Sequence, residues 1–264
     1  MIPKIIHYCW FGNNPKPKKV LDNIQDWKKK LPDYKFVEWN DSHLNLTNNQ
    51  YVKEAYQARK FAFVADFFRV YALFNEGGVY LDTDITLSKS FDPFLNLDFF
   101  SCYENWREII HPISTATLGA AKSNLFIKEI LDSYENNKFI INGEPDVTTN
   151  VERITTLLKN KKLVAEPYNK FDTLNISSKE VIFPSHYFCE KIEGYDNYCV
   201  HEFYASWKDD SNDEIIHTEL EQPYKVKFKV NKKVVFVKLK QETIPNRILA
   251  SFSFKKKKYA FITI

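Results

Sequence analysis

Residues 82–84 read Asp-Thr-Asp, immediately after the short apolar run Val79-Tyr80-Leu81. Two carboxylates this close repel unless a proton or a cation joins them. A hard divalent ion such as Mn²⁺ or Mg²⁺, taking oxygen ligands and keeping positions open for diphosphate oxygens, would resolve the repulsion. A solvated turn is the plain alternative for such a triplet taken alone. A second pair of charges lies upstream in "FAFVADFFRVYALFN" (61–75), where Asp66 and Arg69 are the charged residues of an otherwise apolar stretch. Buried unneutralised charge is costly, and an i, i+3 spacing puts both side chains on one helical face, where they pair or jointly meet a polar ligand. Third comes His201, five residues before Ser206-Trp207 in "HEFYASW".

The elements that must position these groups follow from periodicity. "PKIIHYCWF" reads as a strand, "GNNPKP" as a loop, "KKVLDNIQDWKKK" as a helix with Val20, Ile24 and Trp27 on one face, and "YKFVEWND" as a second strand. Strand, helix, strand at this spacing suggests a parallel α/β unit. Residues 51–76 read as helix and end at "NEGG", where glycine can take the left-handed position after a helix. The aspartates then sit at the carboxyl end of a strand, the edge at which open α/β sheets bind ligands. Further on, 115–120 reads as a strand, 123–136 and 148–160 as helices, and "VIFP" and "NYCVHEF" as strands.

Composition limits the alternatives. The chain has 264 residues, 44% hydrophobic and 27% charged, with an aromatic share of 16% that exceeds ordinary usage. A formal charge of +3 is too small to point to nucleic acid. No apolar run is long enough for a membrane span, and the amino terminus lacks the parts of a signal peptide, so a cytosolic location is expected. Cys9, Cys102, Cys189 and Cys199 are scattered without metal-binding spacing and read as reduced, buried thiols. Residues 224–264 hold lysine and arginine in large excess over one glutamate, Glu242, and alternate basic and apolar residues with period two. The expected division is a domain over 1–215 and a basic accessory tail over 216–264, strand or hairpin. Lys255–Lys258 among Phe252, Phe254, Tyr259 and Phe261 make an anionic membrane surface a candidate partner for that tail.

"IPKIIHYCWFG", "ADFFRVYALFNEGGVYLDTD" and "YCVHEFYASW", in this order, resemble glycosyltransferase family 32, which includes the yeast initiating mannosyltransferase and bacterial capsule enzymes. The same core is similar to the catalytic domain of the large clostridial glucosylating toxins. The resemblance implies a GT-A type, Rossmann-like nucleotide-sugar-binding domain with a mixed, mostly parallel central sheet flanked by helices, and the basic tail as an appendage. It also implies a nucleotide-diphosphate sugar donor (UDP- or GDP-sugar), a divalent metal (Mn²⁺ or Mg²⁺) and retention of anomeric configuration. By the same resemblance Trp10 stacks on the base, with Tyr8 on the same donor side, and Asp66 and Arg69 meet the donor's sugar and phosphate. Asp82 touches ribose and sugar or reaches the metal through water, Asp84 ligates the metal, His201 completes its shell, and Ser206 and Trp207 hold the diphosphate. Ala65 departs from the serine usual before this aspartate. Asp146, Thr149 and Asn150 are candidates for the acceptor side, in a stretch that departs from the family pattern.

The expected reaction moves a hexose to a hydroxyl of a glycan or lipid-linked acceptor, as in bacterial capsule, O-antigen or other surface polysaccharide synthesis, with the enzyme peripheral at the inner face of the cell membrane. Two alternatives remain at this stage. "VYLDTDIT" also fits the D-x-D-x-T of haloacid-dehalogenase-like phosphatases, where the first aspartate is a nucleophile. A nucleotide-sugar or carbohydrate-binding module without turnover is the other.

Overall fold

The structure is a computed structural model. It describes residues 1–135 and 137–204 with their side chains, and beyond them only the backbone of six strands. The chain divides into two compact units, Met1–Trp207 and Lys208–Ile264.

In the first unit the strands are β1 (Ile5–Cys9), β2 (Lys35–Trp39), β3 (Gly78–Leu81), β4 (Ile85–Leu87), β5 (Phe99–Cys102), β6 (Glu104–Trp106), β7 (Ile109–His111), β8 (Thr117–Ala120), β9 (Ile140–Ile141), β10 (Glu144–Pro145), β11 (Leu174–Ser177), β12 (Glu180–Phe183) and β13 (Cys199–His201). The helices are α1 (Lys18–Lys30), α2 (Gln50–Gln57), α3 (Phe61–Glu76), α4 (Leu125–Asp132), α5 (Asn150–Asn160) and α6 (Ser185–Phe188). Seven strands form the central sheet in the order β11-β12-β5-β8-β3-β1-β2. β1 pairs in parallel with both β2 and β3, and β12 with β5, while β8 runs antiparallel between β3 and β5. β11 is antiparallel at the edge. This is the mixed, mostly parallel sheet with flanking helices that a GT-A type fold calls for.

Side-chain alternation along β1 and β3 splits the core between the two faces. Ile6, Tyr8, Val79 and Leu81 join Val20, Ile24 and Trp27 of α1 on one face. Cys9 and Tyr80 join Phe63, Phe67 and Phe68 of α3 on the other. α1 is amphipathic, burying the three residues its spacing predicts, and its lysines Lys28–Lys30 fall in the last turn, where the helix dipole favours cations.

The expected helix over 51–76 is two helices. α2 ends at Ala58, the chain turns through Arg59 in the left-handed region (φ 56°), and α3 starts at Phe61. Neither glycine nor proline marks the break, which is closed by the Lys60 N–H donating to the Ala55 carbonyl at 2.9 Å. Gly77 does end α3, but at φ 69°, ψ 179°, a conformation close to exclusive to glycine rather than the left-handed helical one. A β-carbon there would lie 2.7 Å from the Lys122 nitrogen; at Gly78 (φ 120°) it would lie 2.6 Å from the Ile5 oxygen. The strand bearing the aspartates thus enters the sheet against β1 only because two glycines precede it.

In the second unit the strands are β14 (Glu219–Leu220), β15 (Lys225–Val230), β16 (Lys233–Lys238), β17 (Lys240–Ile244), β18 (Arg247–Phe254) and β19 (Lys257–Thr263). They pair as two antiparallel sheets, β14-β15-β16 and β17-β18-β19. The period-two segment read from the sequence is the hairpin of β15 and β16, with Phe228 opposite Val235.

Candidate active site

The C-terminal ends of β1, β3 and β5 open on one edge of the sheet, and the predicted groups collect there. After β3 the Asp82 N–H donates to the Ala116 carbonyl at 2.8 Å, and the Ile85 N–H closes the turn onto the Asp82 carbonyl at 3.1 Å. α1 steadies this turn from outside: Asn23 donates to the Thr83 carbonyl at 3.0 Å and the Trp27 indole to the Ile85 carbonyl at 2.9 Å. β4 then pairs with β13, placing His201 opposite Ile85. A contact across more than a hundred residues of chain follows, with His201 Nε2 3.4 Å from Asp84 Oδ1. The other Asp84 oxygen accepts the Tyr204 N–H at 3.0 Å.

One ligand atom from each of Asp82, Asp84 and His201 lies within 4.8 Å of the others. Two carboxylates and an imidazole nitrogen suit Mn²⁺ or Mg²⁺ by donor chemistry. Nδ1 of His201 is buried without a hydrogen-bond partner, so the ring is held by packing against Phe203 (centroids 3.8 Å apart) and by Asp84. Burial disfavours charge on His201, but the hydrogen bond and charge of Asp84 outweigh it and raise the imidazole above its ordinary range. Burial likewise opposes ionisation of Asp84, yet His201 and the Tyr204 N–H keep this carboxyl below the usual carboxylate range. The two groups favour each other's charged forms, and a divalent ion bound here would take over that role from the His201 proton.

Arg69 stands behind the carboxylates. Nη2 meets Asp66 Oδ1 at 3.0 Å and Asp82 Oδ1 at 3.2 Å, and Nη1 donates to the Thr115 carbonyl at 2.7 Å. The guanidinium also lies 4.7 Å from the Tyr80 ring centre, and the Tyr80 hydroxyl donates to Asp82 at 2.7 Å. Its Nε is sealed without a partner. Arg69 therefore sets the two aspartates, with its guanidinium engaged by Asp66, Asp82 and the Thr115 carbonyl. One cation between two carboxylates leaves the cluster a net negative charge, and burial with the nearby Asp82 charge pushes Asp66 up to about 6 despite Arg69.

Asp66 is held from a third side by the start of α5. The Asn150 N–H donates to Asp66 Oδ2 at 3.2 Å, its side-chain amide to the Asp66 carbonyl at 2.7 Å, and the Tyr134 hydroxyl donates to the Asn150 carbonyl oxygen. The other two acceptor-side candidates have structural employment. Thr149 caps α5 in a reciprocal bond with Glu152, and Asp146 pairs with Arg153 at 2.5 Å.

Trp10 follows β1 and is half-buried; its indole N–H donates to the Asn14 carbonyl at 2.7 Å. It lines a pocket of about 380 Å³ with Asn13, Asn14, Lys16, Glu38, Asn40 and Asp41. Asp41 accepts the N–H groups of Gly12 and Asn13 at 3.1 and 3.2 Å and so fixes the loop that frames this pocket. Tyr8 is buried in the core, and its hydroxyl donates at 3.1 Å to Glu38, which lines the pocket. Ser206 and Trp207 lie outside the described residues. His7 is a core histidine: Nε2 lies 2.8 Å from the Gly77 carbonyl and Nδ1 accepts the Trp39 indole N–H at 3.0 Å. The four cysteines are free and buried.

Sequence reasoning missed Asp41 and Glu104. Glu104 is buried just beyond β5, accepts the Ser114 hydroxyl at 3.2 Å, and is pushed above the usual carboxylate range by burial. A lone glutamate in "CYENWRE" carries no motif, so only the fold brings it to this edge.

Residues 17–101 match the family described as glycosyltransferase sugar-binding region containing DXD motif. Among curated proteins, inositol phosphoceramide mannosyltransferase 3 of Schizosaccharomyces pombe is 29% identical over 136 residues, 49% of this chain and 36% of its own. An uncharacterized glycosyltransferase, L373, of Acanthamoeba polyphaga mimivirus is 24% identical over 216 residues, covering 78% and 84% of the two chains. The initiation-specific alpha-1,6-mannosyltransferase of Candida albicans is 36% identical over 104 residues, 36% of this chain and 27% of its own. The match thus spans about a third of the length of these mannosyltransferases, and the family match over 17–101 includes Asp66, Arg69, Asp82 and Asp84. Residues 17–101 thus match the DXD-containing sugar-binding region of glycosyltransferases, in keeping with the resemblance read from the sequence.

Proposed function

We propose that the protein transfers a hexose from a nucleotide-diphosphate sugar to a hydroxyl of a glycan or lipid-linked saccharide, with retention of configuration, using a divalent ion held by Asp84, Asp82 and His201. The observation that carries this reading is the meeting of those three residues, two from the turn between β3 and β4 and one from β13, beside the Asp66–Arg69 pair. A bound Mn²⁺ or Mg²⁺ supplies Lewis acidity to the departing diphosphate, where charge grows in the transition state. Trp10 offers an indole face to the base, and Asn13, Asn14 and Asn40 offer amide donors and acceptors to its edge. Asp82 and Asp66 face the sugar hydroxyls as hydrogen-bond acceptors, held to within a narrow geometry by Arg69, Tyr80 and Asn150. Ser206 and Trp207 belong to the diphosphate side of the same reading.

The phosphohydrolase alternative fits less well. Its nucleophile would be Asp82, whose Oδ1 takes both the Arg69 guanidinium and the Tyr80 hydroxyl. That reading also leaves the Asp66–Arg69 pair, Trp10 and the approach of His201 to Asp84 without a role.

Release of nucleotide diphosphate from a panel of UDP- and GDP-sugars in Mn²⁺ tests the proposal. Turnover that EDTA abolishes, and that falls at least a hundredfold in Asp84→Ala with unchanged circular dichroism, is expected. Absence of release across the whole panel would sink it. The anomeric configuration of the product, read by NMR, tests retention separately.

A further inference from the structure

The groups above account for a donor; the same edge of the sheet carries a second set that no motif marks. The chain leaves β5 into the hairpin of β6 and β7, in which Glu104 pairs with His111 and Trp106 with Ile109. Its two turn residues, Arg107 and Glu108, both have positive φ, 52° and 65°. Such tight turns favour asparagine and glycine, so arginine and glutamate hold this one at a conformational cost. At the tip the Arg107 guanidinium lies 5.6 Å from the Trp106 ring centre and the Glu108 N–H donates to Asn105 at 2.9 Å, yet Trp106 stays 36% exposed and Ile109 is exposed too.

The base of the hairpin lies against the donor groups. Glu104 accepts the Ser114 hydroxyl on Oε2; the next residue, Thr115, receives Arg69, and the one after, Ala116, receives the Asp82 N–H. From the other side the Cys189 thiol lies 3.9 Å from the Asn105 carbonyl, and the Cys189 carbonyl accepts the His201 N–H at 2.9 Å. Glu104 is thereby wedged between the segment that holds Asp82 and the one that holds His201. It keeps 9% of its surface open, and no hydrogen bond among the described residues ends on Oε1. Farther along this edge Lys170 bridges Glu108 and Glu190, and the exposed rings of Phe171 and Tyr195 lie 5.7 Å apart.

We propose that this hairpin is the acceptor subsite of the transferase read above, and that its ligand is a saccharide. Glu104 Oε1 accepts a hydrogen bond from a hydroxyl of the sugar nearest the donor, and Trp106 underlies the C–H face of the next ring. A carboxylate beside an exposed indole is the chemistry that grips a sugar, whose hydroxyls lie around its rim and whose C–H bonds crowd one face; an acyl chain would leave Glu104 without a partner. The inference rests on the transferase reading for the word acceptor, but saccharide binding at the hairpin is measurable without it.

The test places the full chain with Mn²⁺ on an immobilised glycan array, as wild type, Trp106→Ala, Trp106→Tyr, Glu104→Gln and the surface control Leu125→Ala, with melting temperatures checked for each. Affinity for Mn²⁺–UDP and Mn²⁺–GDP is measured alongside by calorimetry. Glycans retained by wild type are expected to be lost at least tenfold in Trp106→Ala and Glu104→Gln, kept within about threefold in Trp106→Tyr, and unaffected in Leu125→Ala. Equal retention by Trp106→Ala and wild type, or no glycan retained by wild type, overturns the subsite. Glycan retention that depends on Trp106 in a chain that binds neither nucleotide would uphold the subsite and overturn the donor reading instead.

Discussion

Arg69 is the residue whose removal the site tolerates least. It is 5% exposed and pairs with two carboxylates at once, so Arg69→Ala leaves the buried Asp66 and the part-buried Asp82 without their cation, a loss of about 3–5 kcal/mol. Arg69→Lys keeps a charge but not the planar fork that reaches Asp66, Asp82 and Thr115 together, so it is expected to lie between alanine and wild type in urea denaturation. A lysine variant as stable as wild type would show that the fork geometry is unimportant. Asp66 makes a prediction in pH. Its carboxyl titrates at about 6 in the fold against an ordinary value of 3.8, so between those values the folded state holds a proton that the unfolded chain has released. Stability from this group therefore falls as pH rises through that window. Asparagine does not titrate, so the melting temperature of Asp66→Asn relative to wild type is expected to climb from roughly pH 4 to 7; a flat difference would refute the raised value.

At the scale of elements, the route from α3 into β3 depends on backbone that only glycine adopts. Gly78→Ala imposes a side chain at φ 120°, with its β-carbon 2.6 Å from the Ile5 oxygen and 3.0 Å from His7 Nε2. The backbone alone costs about 1–3 kcal/mol, and the contact with β1 adds to it. A melting temperature lower by roughly 5 °C or more is expected. Because the displaced strand carries Asp82, Mn²⁺ affinity should fall as well, although Gly78 touches no ligand. An alanine variant that melted and bound metal like wild type would mean that β1 and β3 separate freely at this point.

For the whole molecule the open term is the basic second unit. Its sequence alone places four lysines, Lys255–Lys258, among aromatic residues, and among the described residues no helix is long and apolar enough to cross a membrane. We propose that this unit holds the protein on an anionic lipid surface, where a lipid-linked acceptor is presented. Each basic residue near such a surface contributes about 1 kcal/mol, so replacing the four lysines by glutamine should weaken sedimentation with phosphatidylserine vesicles by two orders of magnitude or more. Phosphatidylcholine vesicles should bind neither form. Equal sedimentation of the two forms with phosphatidylserine would remove the membrane from the account.

What could be read from the sequence alone was whatever depends on neighbours along the chain. The apolar alternation of β1 and β3, the 3.6-residue periodicity of α1 and the glycine pair before β3 are local, and local sterics and burial suffice to specify them. The D-x-D triplet and the Asp66–Arg69 spacing were visible for the same reason, and their likeness to known motifs added His201. The tertiary structure decided what no local pattern encodes. It broke the helix at Arg59, where the residues named no stop; it set Arg69 between Asp66 of its own helix and Asp82 from beyond β3; and it gave Asp146 to Arg153 and Thr149 to a helix cap. It also brought Glu104 to the sheet edge that carries Asp82 and His201 through the pairing of β5 with β8, an encounter set by strand order. Periodicity reports which face of an element is buried; which elements meet at a site is fixed only when the sheet closes its order.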